Sequence, residues 1–198
     1  GSVTPDTNAR ISAGTRVVAW TNSEALTAGT VTYTRTGGNP DTGSPHSATM
    51  AGKTGVGAQS VDPGALVEGT IYKLDIQGTD IAGNVGNLAS KTNIEYDITA
   101  PTFGSITPAT NAYIRVATVV VNWTNSEALG SGSVVYTRTG GNLDPGSPHS
   151  HNMSAGERAL GAQNYDFGAG VLVDGAIYKV GVVGTDVAGN AGTVSENT

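Results

Sequence analysis

The sequence predicts an all-β chain folded as two tandem sandwich domains. Three observations predict it. First, the chain repeats itself: residues 20–39, WTNSEALTAGTVTYTRTGGN, return as residues 123–142, WTNSEALGSGSVVYTRTGGN, with 16 of 20 positions identical at an offset of 103. Second, LVEGTIYKLDIQGTDIAGN (66–84) returns as LVDGAIYKVGVVGTDVAGN (172–190) at an offset of 106. A fixed period is read before anything else, because it decides how many units must fold. Third, the apolar runs are short and β-branched, and no window of a dozen residues carries a helical period with caps.

The strands follow in order. Thr15–Trp20 and Ala117–Trp123 are β-branched runs closed by tryptophan. Val31–Arg35 and Val134–Arg138 alternate Val and Tyr with Thr and Arg. Ile71–Ile76 and Ile177–Val183 are apolar runs that open Ile-Tyr-Lys. These residue types suit a pleated, half-buried surface. Between them lie Gly-Gly-Asn, Pro-Asp-Thr-Gly, Asp-Pro-Gly and Ala-Gly-Asn, all turn chemistries. About seven short strands per roughly 100 residues is the count of an immunoglobulin-like Greek-key sandwich. Copy two has three more residues than copy one, expected near Asn164–Val171.

The ends of the copies also align. Gly1-Ser2-Val3-Thr4-Pro5 matches Gly104-Ser105-Ile106-Thr107-Pro108, and Thr198 matches Thr92. The segment between the copies, NIEYDITAPTF (93–103), occurs once. The domains are therefore read as 1–96, with the start of its first strand missing, and 97–198, with its last strand truncated. Two explanations stand: a piece of a longer array, or a subunit that borrows a strand from a neighbour.

Composition removes several functions. There is no cysteine, so no disulfide, thiolate zinc site, iron–sulfur cluster or cysteine nucleophile. The net charge is −6 and no Lys/Arg run occurs, which argues against nucleic acid. No apolar stretch approaches a membrane span, and the start shows no signal-peptide pattern. Nucleophile motifs, Walker loops, the dinucleotide glycine fingerprint and H-E-x-x-H are absent from the sequence, so no enzyme and no organic cofactor are expected.

L-x-x-G-x-I-Y-K followed by G-T-D-x-A-G-N resembles the closing strands of fibronectin type III and bacterial immunoglobulin-like repeats. W-T-N-S-E-A-L and Asp97-Ile-Thr-Ala-Pro101 resemble repeats of large bacterial surface proteins, the extender repeats of adhesins and biofilm proteins. The resemblance places Tyr72 and Tyr178 at a tyrosine corner, ring in the core and hydroxyl on an upstream backbone group. It places Trp20 and Trp123 as core tryptophans of the second strand. It implies an extracellular, cell-surface structural segment, a stalk, extender or fibre, whose partners are neighbouring repeats or other copies of itself. Two alternatives stay open: a filament subunit assembled by strand donation, and a carbohydrate- or ligand-binding module of a secreted protein, its glycan or host ligand unnamed. Gly-Ser-Pro-His-Ser (43–47 and 146–150) departs from those families.

The polar constellations carry two readings. Asp80 with Asn84, and Asp186 with Asn190, read first as hairpin turns in which Asp accepts backbone N–H groups. The second reading is calcium. In a seven-strand sandwich the loop holding Glu127 and the turn holding Asp186 and Asn190 face the end where the chain enters. Asp97 sits in the joint, and Glu68 approaches from copy one. Hard oxygen ligands on loops suit Ca²⁺, and the set resembles an interdomain calcium clamp, although no D-x-D-x-D-G loop exists. Glu24 and Glu127 read otherwise as caps on backbone donors. His46, His149 and His151 read as solvated loop residues, with His149-x-His151 the one metal-like spacing. Asn122-Trp-Thr and Asn152-Met-Ser match the glycosylation sequon by chance. Tyr113, Tyr165 and Phe167 lack aromatic counterparts in copy one and are expected in core or interface packing.

Overall fold

The structure is a computed structural model and describes residues 2–115 and 119–198. Ala117, the expected start of a strand, lies outside the described residues, as does Gly1. No helix occurs among the described residues. The chain divides into two compact units, Gly1–Thr99 and Ala100–Thr198. The division falls beyond the 96/97 boundary read from the sequence, because unit 1 holds Asp97 and Ile98. The Asp97 N–H donates to the Ile11 carbonyl at 2.8 Å, and the Ile98 N–H to the Glu68 carboxylate at 2.6 Å.

Unit 1 contains β1 (Val3–Thr4), β2 (Arg10–Ile11), β3 (Val18–Asn22), β4 (Leu26–Gly38), β5 (His46–Thr49), β6 (Gly57–Val61), β7 (Thr70–Asp80) and β8 (Ala89–Tyr96). One sheet has the order β1-β3-β6, the other β2-β8-β7-β4-β5. Successive strands change sheet at β1–β2, β2–β3, β3–β4, β5–β6 and β6–β7, and the crossings from β3 onward are those of a Greek-key immunoglobulin-like sandwich. Every pairing is antiparallel except β2 with β8.

Alternation builds the core. On β3, Val18, Trp20 and Asn22 face inward; on β7, Thr70, Tyr72, Leu74 and Ile76 do. Period two sends successive side chains to opposite faces, so one strand supplies a whole row of the core. Val31, Tyr33 and Ile94 complete the centre, shut from solvent. Each such side chain contributes about 1.5–3 kcal/mol by burial.

The expected strand Val31–Arg35 is the middle of a thirteen-residue β4. Gly37 and Gly38, read as turn residues, stay in the ladder, where Gly38 pairs with Thr70. The register shifts between Arg35 and Gly37, and Gly38 has φ +67°. A Cβ there would strike the Gly69 carbonyl. The bulge between Arg35 and Gly37 lets β4 run on to Gly38, its last residue, in a conformation that glycine permits. The expected start of β3 at Thr15 gives way to a turn, in which the Thr15 N–H donates to the Ser12 carbonyl.

Unit 2 contains β9 (Phe103–Thr107), β10 (Val120–Asn125), β11 (Leu129–Gly141), β12 (His149–Asn152), β13 (Gly161–Asp166), β14 (Ala176–Asp186) and β15 (Ser195–Asn197). Its sheets are β13-β10-β9 and β12-β11-β14-β15. Phe103, Val119, Val121, Trp123, Val134, Tyr136 and Val182 form its core. Trp20 pairs with Gln59 and Trp123 with Gln163, so the offset is already 104 at that strand. The three extra residues are therefore split: one lies before β13 and two after Phe167, rather than all within Asn164–Val171. The two units also end differently. β8 has eight residues and β15 three, and among the described residues of unit 2 no strand corresponds to β2.

Candidate functional site

The most elaborate polar cluster recurs in both units. Asp41 lies in the turn between β4 and β5. Its Oδ2 accepts the Tyr72 hydroxyl at 2.6 Å and faces His46 Nε2 at 2.6 Å, and its Oδ1 accepts the Gly43 N–H at 2.9 Å. Tyr72 in turn accepts the Val67 N–H at 2.9 Å. In unit 2 Asp144 repeats this with Tyr178 at 2.6 Å, His149 at 2.7 Å and the Gly146 N–H, while Tyr178 accepts the Val173 N–H. Four peptide bonds among the described residues are cis, Ser44–Pro45 and Ser147–Pro148 in these turns among them. The serine before each proline accepts a strand N–H, that of Arg35 or Arg138.

Electrostatics follow from that geometry. Burial pushes the Asp41 carboxyl up, but the bonds from Tyr72, His46 and Gly43 outweigh it and hold the group below the ordinary carboxylate range. Tyr178 and His149 hold Asp144 low in the same way. Burial, then Asp41, pushes the Tyr72 phenol up to about 12. One carboxylate thus ties the β4–β5 turn to β5 and to the corner before β7. The site can hold three segments together; the Tyr hydroxyl and the His face the carboxylate, not a cleft. The histidines are therefore not solvated loop residues.

A second repeated network surrounds the tryptophans. Trp20 Nε1–H donates to Asn22 at 2.8 Å, and Asn22 Nδ2 donates to the carbonyls of Lys53 and Gly55. Trp123, Asn125, Glu157 and Ala159 repeat it. Trp and Asn, two residues apart on one strand, share its inward face. The asparagine satisfies the indole and the backbone of the loop before β6 or β13.

The remaining residues singled out in the sequence fall within one unit or the other. In unit 1, Glu68 binds the Ile98 N–H and the Thr99 hydroxyl, at 2.6 and 3.0 Å. Asp97, buried, accepts the Thr99 N–H at 3.1 Å and lies 3.9 Å from Arg10. Asp80 accepts the Asn84 backbone and side-chain N–H groups at 2.8 Å, bonds that hold its carboxyl low. In unit 2, buried Asp186 accepts the same two donors from Asn190, at 2.8 and 2.7 Å. Glu127 is half-buried between β10 and β11, and Glu24 is exposed. Asn122 and Asn152 are both exposed.

His151 stacks on Tyr165, with ring centroids 3.4 Å apart, and reaches Glu157 at 2.9 Å. Tyr165 packs edge-on against Phe167, and Phe167 against Tyr136. Tyr165 and Phe167 are thus core packing, whereas Tyr113 is fully exposed. Reading the sequence missed Asp41, Asp144, Asn22 and Asn125. The signal was present, since D-x-G-S-P-H and W-T-N are retained in both copies.

No protein-family model matches the chain, and no curated protein matches it. Solved structures do. The FN1–FN3 domains of chicken CNTN1 share 11% identity over 98% of this chain and 64% of that one, with a TM-score of 0.43. This chain thus spans less than two thirds of the chicken structure. Clostridium thermocellum CbhA fibronectin(III)-like modules share 12% identity over 99% and 90%, with a TM-score of 0.47. Streptomyces avermitilis α-L-rhamnosidase complexed with L-rhamnose shares 11% over 98% and 23%, with a TM-score of 0.33. By its own strand order each unit is a two-sheet immunoglobulin-like sandwich.

Proposed function

We propose that the chain is a non-enzymatic structural segment, a stalk, extender or fibre, of an extracellular bacterial surface protein, and that it carries tension. The observation that supports this most is the lacing of β2, near the start of unit 1, to its last strand, β8. β2 and β8 run parallel, with Arg10 beside Glu95 and Ile11 beside Tyr96. Backbone bonds run from Asn8 to Thr92, from Glu95 to Ala9 and from Asp97 to Ile11, at 2.8–3.0 Å. Asp6–Lys91, Asn8–Asn93 and Arg10–Glu95 add side-chain ties at 2.7–2.9 Å. Pulling the start of one parallel strand against the end of the other loads all these bonds in shear at once. A second support is duplication: the Asp–His–Tyr and Trp–Asn networks, whose role is packing, are the parts that both copies keep.

Single-molecule pulling tests the reading. The variant Asn8→Ala/Arg10→Ala should lower the unfolding force of unit 1 and leave that of unit 2 unchanged. An unchanged force in unit 1, or specific hits in a glycan screen, would reject it. Calcium has its own test: a bound ion raises the melting midpoint in millimolar Ca²⁺ over chelator, and an unchanged midpoint removes it.

A further inference from the structure

We propose that Glu68 clamps the joint between the units. Its carboxylate holds the chain as it leaves unit 1 and so limits bending at the joint without a bound ion. This goes beyond the tension reading, which rests on β2 and β8 and is tested by the unfolding force of unit 1.

Glu68 is itself held in place. It lies in the turn before β7, where its carbonyl accepts the Asn39 side-chain N–H at 2.8 Å. The next residue, Gly69, has φ +67° and donates its N–H to the Tyr96 carbonyl at 2.8 Å. The turn therefore stands beside the end of β8, and the Glu68 side chain meets the residues that follow it. Its Oε2 accepts the Ile98 N–H at 2.6 Å, and its Oε1 accepts the Thr99 hydroxyl at 3.0 Å. Bonds to an ionised carboxylate are roughly twice as strong as bonds between neutral groups.

These two bonds complete a run. The Asp97 N–H donates to the Ile11 carbonyl at 2.8 Å, and Asp97 Oδ1 accepts the Thr99 N–H at 3.1 Å. Each residue from Tyr96 to Thr99 is thus tied to unit 1 by a hydrogen bond. Packing does not fix the last two, since Ile98 is 49% exposed and Thr99 is exposed as well. What holds them to the body of the unit is the Glu68 carboxylate, 30 residues back in the chain.

Unit 2 takes hold of the chain soon after. Ser126 Oγ accepts the Thr102 N–H at 2.9 Å, and the Ser126 N–H donates to the Thr102 carbonyl at 3.0 Å. Phe103 then enters the core of unit 2. Between the two holds stand Ala100 and Pro101. The proline ring fixes its own φ and pushes Ala100 toward extended backbone. A joint this short, with one φ locked, has few rotations left. Without Glu68 the segment lacking a tie to the body of either unit lengthens from 100–101 to 98–101.

The test uses the 198-residue chain in chelator, which removes a bound ion as the cause. Magnetic relaxation of the backbone amides reads the tumbling of each unit. A chain with Gly-Gly inserted between Thr99 and Ala100 sets the value for loosely joined units. Both units of the wild type should tumble more slowly than in that chain. Glu68→Ala should move both toward it and quicken amide exchange at Ile98 by about tenfold or more, with exchange at Thr70–Tyr72 unchanged. Thr99→Val removes one of the two bonds to Glu68 and leaves the interior of unit 1 intact. It should move the tumbling the same way by less, and it decides the matter if Glu68→Ala disturbs Thr70–Tyr72. Wild-type tumbling equal to that of the Gly-Gly chain would overturn the proposal. So would wild-type tumbling in the variant that decides. Either failure leaves the unfolding force of unit 1, and with it the tension reading, untouched.

Discussion

Asp41 and Asp144 each collect three donors from three segments, so the loss of one partner is felt at all of them. Tyr72→Phe should cost about 1.5–3 kcal/mol, the range for a hydrogen bond to a charged group, read from urea unfolding. The pH dependence has a definite sign. Both carboxyls sit below their ordinary value when folded. Their contribution is full above the unfolded value of about 3.9 and is lost as pH falls through the folded value. The stability gap between the wild type and Asp41→Asn/Asp144→Asn should therefore narrow below about pH 4 and close in stronger acid. A gap that widens with acid would contradict this. Asn125→Ala should cost at least about 1–3 kcal/mol, because it strands a buried indole N–H and two carbonyls. The tyrosines and tryptophans can be picked from the sequence, since large aromatics in β-branched runs have few places to go. Asp41 cannot: in sequence it is one turn aspartate among several, and only the folded corner brings it under Tyr72.

At the scale of the element, the long strands β4 and β11 hold each sandwich together, and each runs past a bulge to end on a glycine. Gly141 has φ +66°, and a Cβ on it would strike the Gly175 carbonyl. Gly141→Ala should destabilise unit 2 by about 1–3 kcal/mol, the cost of a strained backbone position. Calorimetry against an exposed control such as Gly104→Ala, where a Cβ meets nothing, checks it. The sequence reads Gly-Gly-Asn as a turn because local composition reports only backbone freedom. That these glycines instead close a bulged strand is decided by β7 and β14, which supply the paired edge 32–37 residues away.

At the scale of the whole molecule, two near-copies of one fold differ where their last strands close. Unit 1 is laced from β2 to β8, which pairs with β7 from Thr70 to Ile76, whereas β15 pairs with β14 from Val180 to Val182. The two should separate on heating. Exchange at Ala112–Ile114 and Ala176–Tyr178 should quicken before that at Ala9–Ile11 and Thr70–Tyr72, as mass-resolved exchange would show; the reverse order would contradict the assignment of the closed edge to unit 1.

The sequence by itself determined the number of units, their β class and the inward rows of each main strand. These depend on period, residue type and alternation, which are local. The three-dimensional structure decided which polar groups meet. Asp41 reaches Tyr72 across 31 residues, and Asn22 reaches Gly55 across 33. It also decided that β2 lies parallel to β8. Such pairings join positions far apart in the chain, and no local pattern records them.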